Sequence, residues 1–226
     1  MAESDVQRRY LTYAIEALER HFHDRKDVYV SGNLLLYSEE GNPRACVAPD
    51  CFVVFGVAKR ERRTYKLWLE DNQPPAFGLE ITSASTRGEN QGSKRGLYAY
   101  LGVQEYWQYD PTDDYLKPRL QGLRLSEGEY RPIRRPSPFG QRYSFVSEVL
   151  GLELHLRGET LRFHDPSTGH DLPNYAEIDQ AWQAAEARER QETRARIALE
   201  ARLAEISRPR PLSPVSRPEA DLRHSG

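Results

Sequence analysis

Residues 5–22 carry apolar side chains at helical spacing: Tyr10, Leu11, Ala14, Ile15 and Leu18 fall on one stripe. The pattern then changes. DVYVSGNLLLYSEEGN, residues 27–42, alternates and ends in a turn, which predicts a hairpin arm. Cys51 to Phe55 is a continuous apolar run, the signature of a strand buried on both faces. KRERRTYKLWLEDNQPP follows, a charged excursion with a short helical or extended piece around Tyr65 to Leu69, ended by Pro74 and Pro75. In AFGLEIT, residues 76–82, Phe77, Leu79 and Ile81 share one strand face, and Ala76, Gly78, Glu80 and Thr82 share the other. SAST then offers hydroxyl N-caps for a helix over 87–101, stopped by Gly102. EYWQYD predicts a fourth strand, closed at Asp110-Pro111.

From 116 to 163 short strands alternate with glycine turns, a β-rich extension. Residues 177–206 form a long helical pattern of alternating charge. Its apolar stripe (Ile178, Trp182, Ala185, then Ile197, Ala201, Ala204) is interrupted in the middle, which suits either a weak coiled coil or a solvated helix. The last twenty residues are rich in Pro, Ser and Arg, a composition that disfavours a packed core. The expected organisation is a domain over 1–170, a charged helix over 171–206 and a disordered tail over 207–226. The expected class is α/β (α+β): a mixed sheet flanked by helices, with the β-rich extension and the long C-terminal helix appended.

Composition narrows the function. At 226 residues the chain is long enough for a substantial core. A formal net charge of −2 gives no global basic field, so any contact with nucleic acid must be local. Arginine outnumbers lysine 27 to 5, which singles out each lysine. Cys46 and Cys51 are too few for a disulfide framework and lack a second pair for zinc; reduced thiols in a cytoplasmic protein are expected. No signal peptide or long apolar run is present, and no membrane association is expected. The six histidines show no metal-ligand spacing on one element.

Two carboxylates stand in unusual places. Asp50 opens the apolar strand, and Glu80 interrupts a strand with Gly78 and Thr82 beside it on its own face. A strand-end Asp is ordinarily a solvated cap, and a strand Glu is ordinarily salt-bridged. A buried carboxylate needs a partner, however, and a divalent cation shared by the two acids would supply one. Mg²⁺ accepts one or two carboxylates and fills its remaining positions with water and phosphate. On the helix, Lys94 lies three residues before Leu97 and seven before Leu101, on the stripe expected to face the sheet; Arg87 and Gln91 continue that stripe. Either Lys94 snorkels or it reaches the end of the Glu80 strand.

APDCFVVFG, FGLEITSAST, GSKRGLYAYLGVQEYWQYDP and LRFHDPSTG together resemble the Uma-type family of restriction-endonuclease-like proteins, within the PD-(D/E)XK superfamily. The resemblance covers about residues 5 to 170 and implies an αβββαβ core with a metal-dependent phosphodiesterase site. It matches Asp50 to the first acid and Glu80 to the second. The superfamily's lysine ordinarily falls two residues after that Glu; here the position is Thr82, and Lys94 matches the helix lysine of the Uma-type pattern. Glu89 and Asn90 stand where the family often has Asp, and Glu16 is the candidate for an assisting acid on the first helix. The implied chemistry is Mg²⁺-dependent hydrolysis of DNA, with Mn²⁺ as a substitute. Asp50, Glu80 and the Ile81 carbonyl would hold the metal, Lys94 would act on the attacking water or the developing charge, and Arg87 and Gln91 would contact a neighbouring phosphate. The competing expectation is a nuclease fold that does not cut and acts as a binding module or homo-oligomer. Glu105 is expected to pair with an arginine, and Tyr98, Tyr100, Tyr106 and Trp107 to pack in the core or a dimer.

Overall fold

The computed structural model describes residues 4–82, 92–134 and 144–206. The chain divides into two compact units, Met1–Tyr175 and Ala176–Gly226.

The first unit opens with α1 (Asp5–His21). Ser4 accepts a hydrogen bond from the Gln7 backbone while the Gln7 side chain accepts from Ser4, a capping box that satisfies two donors at the helix start. The strands are β1 (Val28–Ser31), β2 (Leu36–Tyr37), β3 (Cys46–Val47), β4 (Cys51–Phe55), β5 (Tyr65–Lys66), β6 (Phe77–Ile81), β7 (Glu105–Tyr109), β8 (Leu120–Ser126), β9 (Glu129–Pro132), β10 (Ser144–Ser147), β11 (Leu152–Arg157), β12 (Thr160–Asp165) and β13 (His170–Asp171). A 3₁₀ turn at Leu67–Leu69 follows β5, and helix α2 (Ser93–Leu101) lies between β6 and β7.

The main sheet has the order β1-β4-β6-β7-β8-β9. Only β6 and β7 run parallel; every other neighbouring pair in it is antiparallel. A parallel pair needs a crossover, and α2 supplies it. Within this sheet the succession α1, β1, β4, β6, α2, β7 is the expected αβββαβ core. The region read as a β-rich extension divides: β8 and β9 continue the main sheet, and β10 to β13 form a second one. The expected hairpin arm is split. β1 pairs with β4, whereas β2 joins β3 and β5 in a small third sheet. The chain between β1 and β2 therefore separates two sheets instead of turning within one.

Strand alternation assigns the two faces of the main sheet. Val28, Val30, Cys51, Val53, Phe77, Leu79 and Ile81 pack with Tyr10, Tyr13, Ala14, Ala17 and Leu18 of α1 and with the second sheet. Tyr29, Phe52, Val54 and Tyr106 pack on the opposite side with Tyr98 of α2 and with Leu36, Val47 and Tyr65 of the small sheet. Full burial of each such side chain is worth roughly 1.5–3 kcal/mol. These two layers fix β4 and β6 from both sides, which is why both strands are almost wholly apolar.

Helix α2 covers Ser93–Leu101 with Gly92 as its N-cap; the SAST segment, Arg87, Glu89, Asn90 and Gln91, and with them the expected start at 87, lie outside the described residues. At its other end Gly102 has φ of 81°, a left-handed conformation that glycine adopts without a Cβ penalty. Leu97 and Leu101 are half-buried, and Tyr98 is the residue of α2 that enters the core.

In the second unit α3 (Tyr175–Ile206) is a continuous helix, and Trp182, Ile197, Leu199, Leu203 and Ile206 on it are exposed. No helix among the described residues is long and apolar enough to cross a membrane.

Candidate active site

The site begins where β4 begins. Asp50 immediately precedes the strand, on the face shared by Phe52 and Val54, which is the face toward α2. The register pairs Phe52 with Gly78 and Cys51 with Leu79, so the next step along brings Asp50 opposite Glu80. The Pro49 carbonyl accepts from the Asn33 amide at 2.9 Å, and the Asp50 Oδ2 accepts the Ile81 N–H at 2.6 Å. The carboxylate thus takes over hydrogen bonding where the ladder stops. Gly32 is required by the same close approach: a Cβ there would lie 2.1 Å from the Asp50 carbonyl oxygen.

Glu80 projects from β6 toward α2 and is 1% exposed. Lys94 Nζ donates to its Oε2 at 2.8 Å, and the Tyr98 hydroxyl donates to its Oε1 at 2.6 Å. Residues four apart share one helix face, so a lysine and a tyrosine at this spacing can grip both oxygens of one carboxylate. Burial pushes the Glu80 carboxyl up to about 8, and the nearby Asp50 charge pushes in the same direction; Lys94 and Tyr98 act against both. Tyr98 is itself pushed well above its usual range, first by burial and then by the Glu80 charge, so it stays a hydrogen-bond donor. The alternatives of snorkelling and reaching are thereby resolved for Lys94: its ammonium touches Glu80.

The Ile81 backbone is engaged on both sides. Its amide binds Asp50, and its carbonyl accepts from Gln7 Nε2 at 3.3 Å. Gln7 is held by the capping box at its Oε1, which leaves its amide nitrogen to reach β6. Glu16, the acid of α1 singled out from the sequence, is exposed; Gln7, on the same helix, is bonded to β6. Its signal was the Ser-x-x-Gln spacing at the helix start, legible as a cap. Tyr98, expected to be packing alone, also binds the site; its signal was the four-residue interval from Lys94. Thr82, in the position where the superfamily's lysine ordinarily falls, is buried, and its hydroxyl has no hydrogen-bond partner among the described residues.

Glu105 is a structural ion-pair centre: Arg124 Nη2 lies 2.9 Å from its Oε1, and the Ser147 hydroxyl donates to its Oε2 at 2.5 Å. The structure also gathers histidines that no sequence spacing revealed. Cross-strand pairing brings Asp171 Oδ1 to 2.9 Å from His164 Nδ1 and 3.4 Å from His155 Nε2. No group of three or more His, Cys, Asp or Glu side chains among the described residues is arranged to hold a metal ion. Cys46 and Cys51 are free thiols, and burial pushes the Cys51 thiol up, away from thiolate chemistry.

The donor set near β6 fits a hard cation. Asp50, Glu80 and the Ile81 carbonyl are all oxygen donors, and two carboxylates against one lysine leave room for additional positive charge. Mg²⁺ needs no more protein carboxylates than this. A hard-oxygen set without sulfur or imidazole suits Mg²⁺ better than zinc.

An αβββαβ core with one acid at the mouth of its second strand and another within its third defines a restriction-endonuclease-like protein. The chain belongs to the Uma2 family, whose model, described as "Putative restriction endonuclease", matches residues 2–157. A protein from Anabaena variabilis ATCC 29413, described as a "putative nuclease belonging to DUF820", has a similar crystal structure: 11% sequence identity, TM-score 0.48, covering 67% of this chain and 77% of that one. No curated protein matches the sequence.

Proposed function

We propose that this protein is a metal-dependent endonuclease that hydrolyses DNA phosphodiester bonds. The observation that carries the reading is the convergence of Asp50, Glu80 and Lys94 at one end of β4 and β6, with Lys94 in contact with a wholly buried Glu80. Asp50, Glu80 and the Ile81 carbonyl would hold Mg²⁺ or Mn²⁺. Bound there, the ion would polarise a phosphate and lower the pKa of a water. The chain's own contribution is positional. Asp50 is oriented by the Ile81 amide, Glu80 by Tyr98, and the Ile81 carbonyl by Gln7. Lys94, beside Glu80 Oε2 at 2.8 Å, would place its ammonium to orient water or meet charge on the phosphate. Arg87 and Gln91 are proposed phosphate contacts.

The test is cleavage of supercoiled plasmid with Mg²⁺ or Mn²⁺, comparing the native protein with Glu80→Gln. The expected result is metal-dependent nicking or linearisation that the substitution abolishes. Equal products from both proteins, or none from either, count against this reading.

One observation favours a second reading, that of a non-cutting binding module. Lys94 and Tyr98 already donate to both Glu80 oxygens, so the side chain has hydrogen-bond partners without an ion. Calorimetry separates the two: Mg²⁺ or Mn²⁺ binding lost in Asp50→Asn supports the enzyme, and the absence of binding by the native protein supports the module.

A further inference from the structure

The small sheet of β2, β3 and β5 has an inner face that is part of the core, with Leu36 and Tyr65 fully buried. Alternation turns the intervening residues outward. Tyr37 and Lys66 are register partners on the parallel pair β2–β5, both only half-buried. Trp68, in the 3₁₀ turn that follows, is half-buried as well, and Lys66 Nζ lies 5.8 Å from the centre of its ring. Tyr37, Lys66 and Trp68 line a cavity of about 370 Å³, as do Asn42 and Thr64. The Glu39 carboxylate also lines it and is tied at 2.8 Å to Asn42 Nδ2.

We infer that this shelf is a stacking site for an unpaired nucleobase whose phosphate meets Lys66. The inference rests on the reading that the chain acts on nucleic acid. Two large aromatic side chains left half-buried in the lining offer π surface to a planar ring, and every base has such a face. Lys66 adds a cation beside one of those rings, where a stacked base would place its phosphate chain. Asn42, Thr64 and Glu39 supply donors and acceptors for the edge of a base. Bases inside a duplex are already stacked and paired, so the chemistry selects single strands, splayed ends or free nucleotides. None of these residues belongs to the site at β4 and β6.

The experiment measures binding of a fluorescent oligothymidylate by anisotropy in EDTA, which separates binding from cleavage. Single-stranded DNA is expected to bind the native protein, and Trp68→Ala and Tyr37→Ala each to weaken it about ten-fold. Trp68→Phe should retain the affinity, which rules out misfolding as the cause. Lys66→Gln should lower the slope of log affinity against log salt by about 0.7, the loss of one phosphate contact on a single strand. Equal affinity of the native protein and Trp68→Ala overturns the inference. Competition by thymidine monophosphate supports the stacking chemistry with a free nucleotide as occupant; strand binding without competition supports it with the strand. The two readings fail separately. Glu80-dependent cleavage with unaltered binding by Trp68→Ala removes the shelf and keeps the nuclease. Cleavage that ignores Glu80, with weakened binding by Trp68→Ala, does the reverse.

Discussion

Glu80 and Glu105 sit on the adjacent strands β6 and β7, are the same residue type and are 1% and 0% exposed. Their surroundings differ. Glu105 accepts from Arg124, from the Trp107 indole, from the Ser147 hydroxyl and from the Glu148 amide, so it ties the main sheet to β10 and the turn that follows. Glu80 accepts from Lys94 and Tyr98 and faces another acid, Asp50, whose charge opposes its own. Burial alone does not distinguish a structural carboxylate from a chemical one. The distinguishing feature is whether the neighbours are all donors, as around Glu105, or include a second acid, as Asp50 does beside Glu80.

The largest expected effect tests that distinction through activity: Glu80→Gln abolishes plasmid cleavage while leaving stability at pH 7 within about 1 kcal/mol, because the amide replaces a carboxyl whose charge is disfavoured. Glu105→Ala should reverse the order, costing about 3 kcal/mol in denaturant unfolding, since it strips a buried pair whose Arg124 is partly exposed. If Glu80→Gln proves the more destabilising of the two, the comparison breaks.

pH sharpens it further. Glu80 stands near 8 when folded, above its ordinary 4.5. The proton-linked stabilisation is therefore complete below about 4.5 and is lost as pH rises through about 8, at about 1.4 kcal/mol for each unit of separation. In metal-free buffer, the stability of the native protein relative to Glu80→Gln should fall across that window. A flat difference would show that Glu80 takes up no proton on folding. The smallest effect belongs to Tyr98→Phe: about ten-fold slower cleavage, as for loss of a group that orients a metal ligand, with about 1 kcal/mol lost in stability. Cleavage unchanged in this variant would reduce Tyr98 to packing.

The parts legible in the sequence were those set by periodicity. The run Cys51 to Phe55 and the alternation Phe77 to Ile81 are strands because each is closed in by apolar layers, and Lys94 faces Glu80 because helical spacing dictates it. The parts not legible depend on which strand meets which. Val28–Ser31 and Leu36–Tyr37 look like one arm along the chain, yet they pair into different sheets, and nothing local in residues 27–42 encodes the partners. Gln7 was hidden for a related reason: its cap role is local, whereas its bond to Ile81 depends on how α1 lies across the sheet. The small sheet's aromatic shelf was invisible because Tyr37 and Trp68 are far apart in sequence and only the pairing of β2 with β5 brings their segments together.

The bonds that build the site also differ in how far along the chain they reach. Glu80 finds Lys94 and Tyr98 at separations of 14 and 18 residues, within one β–α–β passage. Asp50 reaches Ile81 across 31 residues, and Gln7 across 74. Loop-closure entropy rises with the logarithm of that span, so the grip on Glu80 is the cheapest to form and the contact from α1 the most expensive. During synthesis Gln7 emerges first of all these residues, and its partner carbonyl is made long afterwards. Helix α1 thus leaves the ribosome before the part of the site it bonds to has been made.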